Sequence, residues 1–341
     1  MVILVKPVVY LVAMIAVVWA GLVSLAVVAG PMIMGGGQLT FVDAEDIHLL
    51  DIERQLVFNL TQGHDFASYP RWTPDGEHIL FSDHTGRLYI MDATGRQVHE
   101  LDKARLIAVA PEQQHMIYQS WLVDWGRFQI FPVEITGLTV EQNRDAGQRV
   151  SEVVWLDQSH ELRYVEKEEA FFRVHAFDLD DQGDTVLAEW IDTEFNPVTD
   201  ATLMSPRGTH VILVRSNLRQ GIHLIDIGTG RDRSVGEFHR LGHPSWSPDG
   251  RSIAAVARVS DSSEALTITG IDDLQSRQLR IFQQRNVRIL NWTDDGGAIM
   301  VALGDLSAQR LALVDVETGA IDRVIELPGR RLNFPVWRPG A

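Results

Sequence analysis

In this chain of 341 residues the stretch nearest to a chemical site is Asp178-Leu179-Asp180-Asp181-Gln182-Gly183, with Glu189 beyond it. Carboxylates fall at positions 1, 3 and 12 and a glycine at 6, the oxygen-rich spacing with which a calcium loop surrounds a hard cation. Gln182 at the fifth position is a poor substitute for Asp or Asn, and the flanking residues read as strands, not helices. Asp178, Asp180 and Glu189 are thus metal candidates beside a preferred alternative, an acidic hairpin turn of the kind that recurs along the chain. Calcium is the one cofactor this sequence suggests.

His239 and His243, with Glu237 close by, have a spacing compatible with metal ligation, but no third ligand or helical context accompanies them. Loop or core histidines are the preferred reading. Asn59-Leu60-Thr61 and Asn291-Trp292-Thr293 match the glycosylation pattern, yet both fall in or beside strands. The chain has no cysteine, which removes disulfides, thiolate metal sites and a cysteine nucleophile. It also lacks a G-x-S-x-G elbow, a P-loop and a dinucleotide fingerprint. No nucleophile is nominated, so the sequence leans away from an enzyme.

Large aromatics where loops are expected are a different kind of signal. Trp121, Trp125 and Phe128 fall in one inter-strand loop, and Phe171 and Phe172 close the equivalent loop of the next repeat. Such residues are candidates for a protein-binding patch. Their competing role, preferred by a narrow margin, is packing between sheets, because stacked sheets need aromatic filling.

The elements that position these residues are repeats. Tyr69-Pro70-Arg71-Trp72-Thr73-Pro74-Asp75-Gly76 returns as His243-Pro244-Ser245-Trp246-Ser247-Pro248-Asp249-Gly250 and, at the C-terminus, as Phe334-Pro335-Val336-Trp337-Arg338-Pro339-Gly340. Weaker copies place the residue two beyond the anchor at Pro74, Pro111, Asp157, Pro206, Pro248, Asp294 and Pro339. That spacing suits four-stranded units of about 40–50 residues each. Apolar strands such as Ile79-Leu80-Phe81-Ser82 follow, and a third strand ends in an acidic turn, as in Ile222-His223-Leu224-Ile225-Asp226 before Thr229-Gly230. Asp and Gly there serve turn geometry.

Residues 38–62 supply strands two to four of a unit without its first strand, whereas residues 334–341 are a first strand with nothing after it. Pairing the two closes a ring and leaves no open edge. The expected fold is all-β, a seven-bladed β-propeller over residues 38–341, with six or eight blades as alternatives.

Before it, residues 7–42 carry no charge and residues 7–34 are almost wholly apolar, enough for a transmembrane helix of about 20 residues. Residues 1–37 are expected to form a signal anchor and Gly35-Gly36-Gly37 tether. Lys6 precedes the run and Asp43, Glu45 and Asp46 follow it, which places the N-terminus in the cytoplasm and the remaining chain on the periplasmic or extracellular side. A cleaved signal peptide is the alternative, disfavoured by the length of the run. With 46 acidic residues against 30 basic ones the net charge is −16, which argues against nucleic acid as a partner.

The Trp-Ser/Thr-Pro-Asp-Gly turn, its following strand and the later Asp-x-x-Thr-Gly turn resemble the WD40-like propeller repeats of the TolB type, best at Trp72, Trp246 and Trp292. The resemblance implies a periplasmic or envelope propeller that binds proteins and is usually not catalytic. This chain departs from TolB in having no α/β domain before the propeller and in its apolar N-terminal run. The expected function is that of a single-pass, membrane-anchored propeller serving as a scaffold or accessory subunit, bound to protein partners in or at the membrane. The alternative is a propeller enzyme, or a metal or ligand sensor, using the central channel.

Overall fold

The repeated signature folds as a hydrogen-bonded turn between two antiparallel strands. In the copy at residues 73–78, the Thr73 backbone carbonyl accepts from the Gly76 N–H at 2.8 Å, and Thr73 Oγ1 accepts from the His78 N–H at 3.0 Å. Asp75 Oδ1 accepts from the Thr73 hydroxyl and from the Glu77 N–H. The same bonds recur at Ser247, Asp249, Arg251 and Ser252, and at Thr293, Asp295, Gly297 and Ala298. Each side chain satisfies backbone donors that a tight turn would otherwise leave unpaired.

The computed structural model describes residues 37–339 except 63–66, 103, 110–114, 121–126, 135–138, 141–143, 157–160, 169–170, 179–182, 192–200, 216–220, 237–243 and 305–307. For strand residues 102, 104–109, 115–120, 127–134, 139–140, 144–152, 167–168, 201, 215 and 308–309 the description is of the backbone. The apolar run of residues 7–34 lies outside the described residues, among which no helix is long and apolar enough to cross a membrane.

Among the described residues every element is a strand. In chain order they are β1 (Gln38–Asp43), β2 (Asp46–Asp51), β3 (Leu56–Asn59), β4 (Ser68–Trp72), β5 (His78–Ser82), β6 (Leu88–Asp92), β7 (His99–Asp102), β8 (Ala104–Val109), β9 (His115–Ser120), β10 (Arg127–Glu134), β11 (Thr139–Val140), β12 (Arg144–Trp155), β13 (Glu161–Glu168) and β14 (Phe171–Asp178). They continue as β15 (Asp184–Ile191), β16 (Ala201–Met204), β17 (His210–Arg215), β18 (Gly221–Asp226), β19 (Asp232–Gly236), β20 (Ser245–Trp246), β21 (Ser252–Ser260), β22 (Ser263–Gly270), β23 (Ser276–Phe282), β24 (Val287–Trp292), β25 (Ala298–Leu303), β26 (Ala308–Asp315), β27 (Ile321–Pro328) and β28 (Asn333–Trp337).

Hydrogen bonding groups them into four-stranded antiparallel sheets β4–β7, β16–β19, β20–β23 and β24–β27, each in chain order. A further sheet runs β28-β1-β2-β3, with Leu39 opposite Trp337 and Thr40 opposite Val336, so the last strand joins the first. The expected count of seven separate blades is corrected to six. Strand β12 runs unbroken from Arg144 to Trp155, pairing with β10 through its first half and with β13 through its second. Two repeats thereby share one strand and fuse into a single eight-stranded sheet, in which β11 pairs off the edge of β10.

Alternating residues of each sheet pack on the next. Leu39, Phe41 and Leu50 meet Met300, Leu311 and Ile325, while Val42, Ile47 and Leu49 meet Trp72, Ile79 and Phe81. Trp246 Nε1 donates to the Leu203 carbonyl at 3.1 Å and Trp292 Nε1 to the Ser245 carbonyl at 3.3 Å, stapling neighbouring first strands. Outer strands carry a second set of links. Arg233 donates to the Ile271 carbonyl, Arg277 to that of Val316 and Arg323 to that of Ile52, each reaching a turn of the following sheet. A guanidinium suits this work because its several donors stay fixed in one plane.

Candidate functional site

Strands β13, β14 and β15 form the half of the fused sheet that ends at β15, and the sequence-derived interaction residues described by the structure lie there. Register pairs Tyr164 with His175, Glu166 with Arg173, Arg173 with Glu189 and Phe171 with Ile191. Because side chains alternate across a strand, Phe172 and Val174 take one face. They pack with Val165, Met204, Val211 and Ile227, and Phe172 stacks on Trp190 with centroids 5.3 Å apart.

The other face holds a connected polar group. His175, only 4% exposed, places Nδ1 3.0 Å from Asp184 Oδ1 and Nε2 3.0 Å from Glu166 Oε2. Neutral imidazole satisfies one of these carboxylates; only the imidazolium donates to both. The Tyr164 ring stacks on His175 at 4.6 Å, and its hydroxyl donates to Asp184 Oδ2 at 2.7 Å. Burial, and then the Asp184 carboxylate, push the Tyr164 phenol far above its ordinary value, which keeps it a donor. Arg173 bridges outward, 3.5 Å from Glu166 Oε2 and 2.6 Å from Glu189 Oε2. The group contains no serine, threonine or cysteine, and its chemistry is that of a rigid, hydrogen-bonded charge cluster.

Around this cluster the surface turns apolar. Val186 is 51% exposed, Ile191 61% and Phe171 39%. Among the described residues no strand pairs with the outer edge of β15. An eight-residue edge with apolar side chains is a template for another chain.

Of the residues singled out from the sequence, Phe171 is at this surface and Phe172 is in the core. Trp121 and Trp125 lie outside the described residues, as do Asp180, Glu237, His239 and His243; for Phe128 the backbone alone is described, within β10. The structure does not bring Asp178 and Glu189 together. The Asp178 N–H donates to the Gly183 carbonyl at the hairpin end, whereas Glu189 faces Arg173, five residues earlier in β14 and about 16 Å along the strand. Cation–oxygen bonds of about 2.3–2.6 Å cannot span that interval.

Sequence reading missed the His175 cluster and one group with metal-ligand proximity. Asp75, Glu77 and His78 place ligand atoms within 4.8 Å of one another. Asp75 Oδ1, however, is the acceptor that builds the signature turn, which explains the group without a cation.

No protein-family profile and no curated protein sequence matches the chain. Solved structures do. A functionally unknown protein from Desulfotomaculum acetoxidans DSM 771 superposes with a TM-score of 0.59 at 10% identity, over 87% of this chain and 99% of that one. An oligogalacturonate lyase in complex with manganese gives 0.58 at 16% identity, over 86% of each chain. TolB from Acinetobacter baumannii gives 0.47 at 16% identity, over 86% of this chain and 79% of that one.

The fold is a β-propeller. Its radial sheets, paired first and last strands and turn signature agree with the first two superpositions, which at such identities speak to fold alone. The propeller carries the His175 cluster and the β15 edge on its fused blade, where the repeat pattern is most altered.

Proposed function

We propose that this propeller is a membrane-anchored, extracytoplasmic protein-binding module, a scaffold or accessory subunit of a membrane complex, and that its partner adds an extended segment along β15. The observation that carries the reading is the exposure of Val186, Ile191 and Phe171 beside a strand edge that no strand among the described residues pairs with. Backbone pairing supplies affinity in such strand addition, and alternate side chains supply selectivity. A chain charge of −16 favours a partner segment that carries Lys or Arg between apolar residues. The apolar run at residues 7–34 supports the anchor.

A photo-crosslinker at position 186 or 191 of the full chain, in native membranes, tests this. A discrete protein adduct is expected from each, lost when the other position is changed, Ile191→Asp with the crosslinker at 186 or Val186→Asp with it at 191, in a protein that retains its melting temperature. Absence of any adduct from both positions, or an adduct unchanged by Asp at the other position, overturns it.

A further inference from the structure

One signature turn breaks the repeat rule. Where sister turns carry Asp75, Asp249 and Asp295, the turn of the β16–β19 blade carries Arg207. The turn forms without the acid: Ser205 Oγ accepts from the Thr209 and His210 N–H groups, both at 3.1 Å, and the Gly208 N–H donates to the Ser205 carbonyl at 2.8 Å. Arg207 therefore contributes nothing that the turn requires.

It lines a cleft of about 800 Å³ that spans three successive blades, together with Arg163, Arg251, Thr209 and His210. Arg163 is fixed there, donating from Nη1 to the Gly208 carbonyl at 2.8 Å and from Nε to Glu161 at 2.9 Å. Arg207 and Arg251 are exposed; among the described residues neither guanidinium has a carboxylate within ion-pair distance, and both act on the Asp249 carboxylate from farther off. Asp226 and Asp272 also border the cleft; Asp226 accepts from the Thr229 N–H of its own turn and lies 3.6 Å from His210 Nε2. The corresponding cleft beside the β24–β27 blade, of about 910 Å³, is lined by Asp294, Asp295, Asp315 and Glu317 among its acids and by Arg323 and Arg338. The two clefts differ in charge balance, three arginines to two aspartates in the first and two arginines to six carboxylates in the second, and Arg207 in place of an aspartate contributes to the difference.

We infer that the Arg207–Arg251 cleft binds an oxyanion, the phosphate or carboxylate group of a small soluble ligand. Guanidinium forks match either group with paired hydrogen bonds. Thr209 adds a hydroxyl donor. The overall negative charge of the chain does not forbid this, since charges beyond about 8–10 Å are screened at physiological salt and inside the cleft Arg163, Arg207 and Arg251 outnumber Asp226 and Asp272.

Titration of the detergent-solubilised full chain with inorganic phosphate and, separately, with citrate tests the inference, followed by calorimetry and thermal shift. Saturable binding of at least one probe is expected, weakened about tenfold or more by Arg207→Asp, which restores the residue of the sister turns, and by Arg251→Gln. Arg96→Ala, on an exposed turn elsewhere, should bind as the parent does. The probe that binds distinguishes a phosphate from a carboxylate ligand. Failure of both probes to saturate, or equal binding by the two cleft variants and the parent, overturns the proposal; the two variants guard against one that misfolds.

Discussion

The Arg338 guanidinium donates from Nε to the Gly76 carbonyl at 2.8 Å, joining the last turn of the chain to a blade 262 residues earlier in sequence. Its Nη1 donates to Gln38 Oε1 at 2.7 Å, and the group lies 5.2 Å above the Trp72 ring. Sister repeats place Thr73, Ser205, Ser247 and Thr293 at this position and use them to build their own turns. Arg338 reaches the neighbouring blade instead. It latches the seam where β28 meets β1.

Arg338→Ala should therefore destabilise the propeller by roughly 2–4 kcal/mol, because it strands the buried Gln38 side chain and the Gly76 carbonyl and removes contact with Trp72. Urea unfolding measures this. A loss below about 0.5 kcal/mol would mean that strand pairing alone holds the seam.

Gly319→Ala should be costly for a different reason. Gly319 has φ +71°, and an added Cβ would lie 2.1 Å from the Leu279 carbonyl oxygen of the preceding blade. Backbone strain alone costs about 1–3 kcal/mol, and the clash meets main chain that cannot swing aside. A lowered melting temperature is expected; an unchanged one would show that this turn and β23 separate freely.

The paired aromatics Phe171 and Phe172 should part company. Phe172 is fully buried, so Phe172→Ala should cost about 3–5 kcal/mol. Phe171→Ala should shift stability by no more than about 0.5 kcal/mol and reduce capture of a partner by the fused blade. Parallel melts and crosslinking of the two variants check both halves.

Acid should weaken the turns. The Thr293 hydroxyl and then the Gly297 N–H hold Asp295 below its ordinary value of 3.8, and the Thr318 hydroxyl and backbone N–H do the same for Asp315. A folded-state pKa depressed below the unfolded value gives stability that is fully present above 3.8 and lost as pH falls through the folded value. Unfolding midpoints should be insensitive to these groups between pH 7 and 5 and should drop below pH 4. Asp295→Asn should be less stable than the parent at pH 7 and lose less on acidification; equal acid sensitivity would sink the assignment.

What the sequence determines by itself is local. Each turn is written within six residues, as Thr73, Asp75 and His78 demonstrate, because the side-chain acceptor and the backbone donor it satisfies are near neighbours in the chain. Strand alternation is equally legible, since burial on one face repeats every second residue. The Arg207 departure is visible as a missing acid, though what it faces is not. Tertiary structure alone decided the rest. Fusion of two blades through β12, the union of His175 with Glu166 and Asp184, the burial of Phe172 beside an exposed Phe171, and the reach of Arg233, Arg277 and Arg338 into the next blade all depend on strand register and blade spacing. Those quantities are fixed only when separate repeats bury their faces against one another, so no spacing within a single repeat records them.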